Sequence, residues 1–154
     1  MVPVMPKLNL IVVADLGYLN AYVVAYDPLT GKPRLELLET LALVEAHKRL
    51  RELLSDEAGR FPVISLHLTG AGATGERHNL ELELKKRLVS VLAQAITEIV
   101  AEHNPKRWAL AAPAEVLHRL REKLPQRVQA SLAQTVEADL TKVKPSELLS
   151  YFQR

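Results

Sequence analysis

No cysteine occurs in the 154 residues, which excludes a disulfide framework, every thiolate metal site and a thiol nucleophile. The same absence suits a reducing compartment, and the cytoplasm is the expected location. Aromatic residues make up only 5% of the chain. The basic stretches Lys85-Lys86-Arg87 and Lys48-Arg49-Arg51 accordingly have little aromatic interleaving, and with acidic neighbours they read as solvated helix faces. Charge of one sign is lacking as well: 20 Lys and Arg stand against 18 Asp and Glu, so the surface is nearly balanced and carries no strong nucleic-acid footprint. No apolar run approaches the roughly 20 residues a helix needs to cross a bilayer. Leu8 to Ala14 follows two prolines and no basic segment, and it is too short for a secretory leader, so no signal peptide is expected. The five histidines, His47, His67, His78, His103 and His118, share no ligand spacing, and no G-x-S-x-G elbow occurs. Neither a metal site nor a serine hydrolase is expected, and no cofactor is expected.

What is present is a chain 48% hydrophobic, enough for one domain spanning residues 1–154 with a substantial core. Leu8 to Ala14 is an almost continuous branched apolar run, the pattern of a strand buried on both faces. Tyr18 to Tyr26 reads as a second strand antiparallel to it, and the turn Asp27 to Pro33 leads into a third strand beginning at Arg34. Glu45 to Leu54 suits a short helix and Phe61 to Thr69 an edge-type strand. A glycine-rich loop, Gly70 to Gly75, then precedes a long helix. In that helix Leu84, Leu88, Val91, Leu92, Ala95, Ile96, Ile99 and Val100 fall on one face, and Asn104-Pro105 ends it. Arg107 to Ala112 is a short strand, and a helix with Val116, Leu117, Leu120 and Leu124 follows it. A helical piece carrying Val128 and Leu132, a last strand Thr135 to Ala138 and a terminal helix Pro145 to Phe152 complete the chain. Helical crossovers between the later strands imply parallel pairing, so an α/β fold is expected: a mixed β-sheet with helices on its faces, in an order compatible with a ribonuclease H-like arrangement.

Gly70-Ala71-Gly72-Ala73-Thr74-Gly75 matches G-x-G-x-x-G between a strand and a helix. A dinucleotide site would need an acidic residue near the end of the next strand, which reads Leu110-Ala111-Ala112-Pro113 and offers none. A Walker A loop fails because Glu76-Arg77 stands where Lys-Ser/Thr is required. A softer possibility is an anion- or RNA-binding loop made of Gly70, Gly72 and Gly75 with Arg77 and His78, opposed by the charge of Glu76. Asp15 ends the first strand, where a two-metal nuclease holds one carboxylate, but the strand ending at Ala112 supplies no second one. The competing role for Asp15 is a turn or cap.

Val44-Glu45-Ala46-His47-Lys48-Arg49-Leu50-Arg51-Glu52-Leu53-Leu54-Ser55-Asp56-Glu57-Ala58-Gly59-Arg60-Phe61 resembles a segment of the bacterial host attachment family, the proteins required for attachment to host cells, which ends Ser-Asp-x-x-Gly-Arg. Three further stretches are similar to that family: Ile11 to Asp15, the helix from Arg77-His78, and Ala111-Ala112-Pro113 through Glu137-Ala138-Asp139-Leu140-Thr141. The resemblance marks Asp15, Ser55, Asp56, Gly59, Arg60 and Asp139 as motif residues. It also implies kinship with the middle domain of archaeal and eukaryotic release factors and Pelota, and hence a ribonuclease H-like fold. In release factors a Gly-Gly-Gln loop precedes the long helix; here Gly70 to Gly75 contains no glutamine, so peptidyl-tRNA hydrolysis is not implied. The expectation is a non-enzymatic binding protein with a protein partner or ribosome contacts. The alternatives are a ribosome- or RNA-binding translation factor and, further off, a metal-dependent nuclease or nucleotide-binding enzyme.

Overall fold

The computed structural model describes residues 7–43 and 69–152, with residues 69–78 described as backbone only. Strand β1, Leu10–Ala14, is buried at every position, as its unbroken apolar composition requires. Its alternating side chains divide between two cores. Leu10, Val12 and Ala14 join the cluster under the long helix, while Ile11 and Val13 join a smaller cluster on the other face. β2, Tyr18–Tyr26, pairs antiparallel with β1, and β3, Pro33–Ala42, pairs antiparallel with β2. Their hairpin closes through Asp27, whose Oδ1 accepts the Leu29 and Thr30 amides, and through Gly31 at φ +72°, a left-handed angle that glycine adopts without strain.

Helix α1, Thr69–His103, is followed by β4, Trp108–Ala112, which lies parallel to β1. Two short helices, α2 (Ala114–Lys123) and α3 (Gln126–Ala130), lead to β5, Leu132–Glu137, parallel to β4. The sheet order is β3-β2-β1-β4-β5, and β2 alone runs against its neighbours. Leu88, Val89, Leu92, Ala93, Ile96, Ile99 and Val100 of α1 pack on one face. On the other, α4 (Pro145–Leu148) and the 3-10 turn after it bring Leu148 and Phe152 onto Ala109 and Ala111, whose small side chains admit a close approach. The mixed sheet and the parallel pairing of β1, β4 and β5 are as the crossover argument requires; the crossover helices share one face, and α4, which follows the last strand, covers the other.

Trp108 is the largest fully buried side chain; its indole N–H donates to the Val128 carbonyl at 2.9 Å, so the polar end of the ring is satisfied inside the core. α2 stops at Pro125, and its freed Arg121 and Leu124 carbonyls accept from the Gln129 side chain. α1 ends where Asn104 turns left-handed at φ 43°, a conformation that asparagine tolerates better than most residues.

Several expectations are corrected. Gly70–Gly75 is the beginning of α1, not a loop ahead of it. Once a helix is nucleated, each added residue gains a hydrogen bond, and Ala71 and Ala73 favour it while glycine costs only about 1 kcal/mol per position. Val91 lies beyond the margin of the buried stripe and is 45% exposed, whereas Val89 and Ala93, left out of the expected face, are buried. At 100° per residue the packed sector is centred between Leu92 and Ile96, which turns Val91 outward. Leu132 opens β5 instead of ending the preceding helix. The short helix expected over Glu45–Leu54 lies outside the described residues, as does the strand expected over Phe61–Thr69 except for its last residue, Thr69, which begins α1.

Candidate functional site

In an open α/β sheet, ligands are bound beyond the carboxyl ends of the parallel strands, where the helices leave room. Here those ends are Ala14, Ala112 and Glu137. Asp15 follows the first, Pro113 the second and Ala138-Asp139 the third. β1 and β5 stand two strand spacings apart, about 10 Å, so Asp139-Leu140-Thr141 must cross the end of β4 to reach β1. The crossing is anchored by buried Leu140, which packs in the cluster of Ile11, Val13, Ala109 and Ala111.

Thr141 is the meeting point. Its hydroxyl lies 3.0 Å from Asp15 Oδ2 and 2.8 Å from Asp139 Oδ1. The Thr141 amide donates to Asp139 Oδ1 at 3.1 Å, and its carbonyl accepts from Asn20 Nδ2 at 3.3 Å. Asp15 Oδ1 takes the Gly17 and Tyr18 amides, both at 2.7 Å, and so closes the turn between β1 and β2. Partial burial pushes the Asp15 carboxyl upward, but the amides of Gly17 and Tyr18, the Thr141 hydroxyl and the contact with Asp139 together outweigh it and hold the group below its ordinary value. The carboxylate is thus ionised at neutral pH and its two oxygens are engaged. That state suits an acceptor in a fixed network and not a proton-transfer group, which works best with a pKa near the operating pH.

Of the residues marked by the sequence, the structure brings together Asp15 and Asp139. Gly70, Gly72 and Gly75 lie in the first two turns of α1, and Arg77 and His78 in the third; at 1.5 Å per residue, Arg77 is about 12 Å down the axis from Thr69. The terminal amides and those two basic positions therefore do not share one end of the helix. Ser55, Asp56, Gly59 and Arg60 lie outside the described residues. Among the described residues, no group of three or more His, Asp or Glu side chains is placed to hold a metal ion. Thr141 and Asn20 were not among the marked residues. The available signals were Asp139-x-Thr141, the spacing at which an aspartate accepts the amide two residues on, and a lone asparagine in an otherwise apolar strand.

The fold and this corner define an α/β protein whose strand ends are tied by a carboxylate and hydroxyl network. A family model described as "Protein required for attachment to host cells" matches residues 10–152, nearly the whole chain, and the chain belongs to that family. No curated protein and no solved structure matches it. Among the described residues no helix is long and apolar enough to cross a membrane.

Proposed function

We propose that the protein is a non-enzymatic, cytoplasmic binding protein of the host attachment family that works through contacts with another protein. The observation that carries this reading is the state of Asp15. The acid best placed for chemistry, at the end of the central strand, is held ionised by two backbone amides and a hydroxyl and serves the β1–β2 turn. The strand order with β2 alone reversed supports the ribonuclease H-like, release-factor-middle-domain-like reading of the fold. A translation factor that binds ribosomes or RNA through Gly70, Gly72, Gly75, Arg77 and His78 has less support, because those positions are strung along a helix.

The test is complementation of the attachment defect of a strain deleted for the protein, using Asp15→Asn and Asp139→Asn together. Each substitution keeps one acceptor oxygen, replaces the other with an amide donor and removes the charge. Attachment restored to the wild-type level is the expected result; a folded double variant that restores none of it would assign the pair to chemistry and overturn the reading. Co-sedimentation of the purified protein with ribosomes across salt concentrations tests the alternative, since phosphate-driven binding weakens steeply with salt.

A further inference from the structure

The outer margin of α1 and the end of β3 enclose an open groove of about 480 Å³. Its apolar wall is formed by Val91 and Ala95 from the helix and Leu41 from the strand, and its rim carries Glu39, Glu98 and Glu102. Among the described residues no basic side chain lines it, and none of the three rim carboxylates has an ion-pair partner. Glu98 is engaged, among the described residues, by the neutral amide of Gln94, at 3.0 Å. Val91 is 45% exposed on the face of a helix whose other valines, Val89 and Val100, are buried. Among the described residues, then, a branched apolar side chain beside three carboxylates without ion pairs presents an apolar surface and a negative field that nothing complements.

We propose that this groove is the docking site for a protein segment of opposite character: an amphipathic helix that lays an apolar stripe on Val91, Ala95 and Leu41 and sets lysines or arginines against Glu39, Glu98 and Glu102. The inference rests on the protein-binding reading above and names the kind of partner. The stretch from Ser90 to Glu102 is about 18 Å long, which matches about three turns of a bound helix. The acidic rim repels nucleic acid, and a second copy docking the same face would bring six carboxylates together, so neither satisfies the charge.

The probe is a fluorescein-labelled amphipathic peptide of leucines and lysines of that length, titrated with the full chain and read by anisotropy, beside a scrambled peptide of the same composition. Expected are tighter binding of the patterned peptide than of the scrambled one and a loss of at least about tenfold in Glu98→Lys/Glu102→Lys and in Val91→Asp. Glu115→Lys, on α2 and away from the groove, should leave affinity unchanged. Equal binding of the two peptides, or affinity indifferent to the groove variants, overturns the proposal. Self-association of the wild type that disappears in the same variants also overturns it, by giving the groove to a second copy. The complementation assay leaves the groove untouched, so a failure there discards the binding reading, while a failure of the peptide discards only this surface.

Discussion

The two halves of the sheet are built on different rules. β1 and β4 run parallel, are five residues each and are buried at every position. β2 and β3 form a hairpin of nine and ten residues, and β3 is exposed along most of its length, with Leu37 61% accessible. Covered on both faces, a central strand must be apolar throughout and tolerates almost no change. An outer strand with one face against a helix and the other largely in water carries Arg34, Glu36 and Glu39, and depends on its hairpin turn for register. The difference places rigidity in the parallel half and leaves β3 free to line a groove.

That contrast can be broken most forcefully at Trp108. Replacing it by Ala removes a fully buried ring and its hydrogen bond to Val128 and is expected to cost about 3–5 kcal/mol in urea unfolding; a loss under about 1 kcal/mol would mean that the parallel half is not the rigid one. Asp15→Ala strips the acceptor from the Gly17 and Tyr18 amides and should cost about 1–2 kcal/mol. Because the folded-state pKa of Asp15 is lowered, its contribution is fully present above the ordinary carboxylate value of about 3.9 and is lost as the pH falls through the folded value. The gap between wild type and Asp15→Ala should therefore narrow on acidification below about pH 4, as followed by unfolding titrations at several pH values. Gly72→Ala sits in a helical turn and should raise stability by about 0.5–1 kcal/mol; a decrease in melting temperature would return that segment to a loop. Leu37→Lys on the exposed strand should change stability by less than about 0.5 kcal/mol.

Legibility in the sequence followed the same division. The run from Leu8 to Ala14 announced a strand buried on both faces, because such burial requires an almost wholly apolar composition. Arg107 to Ala112 read only as a short strand, and the full burial of Trp108–Ala112 is a finding of the structure. The parallel pairing followed from helices between strands. β5 was half missed, since Leu132, Ala133 and Gln134 continue the helical pattern before them and only pairing with β4 makes them extended. The first turns of α1 were missed because three glycines read locally as a loop, while the cooperativity of a 35-residue helix is not a local property. At the candidate site, Asp15 was visible from its place after β1. Its partner Thr141 lies 126 residues away, and only the sheet order and the crossing over β4 bring the two together.

The claim on which the functional reading turns is that Asp15 holds its charge for the fold. A double-mutant cycle of Asp15→Asn and Thr141→Val, measured by urea unfolding at pH 7, tests it most directly. Both single variants should be less stable than the wild type, with a favourable coupling of about 0.5–1.5 kcal/mol between the two side chains. Variants more stable than the wild type, with no coupling, would contradict it, since a gain in stability on neutralising an acid is the mark of a residue kept for activity at the expense of the fold.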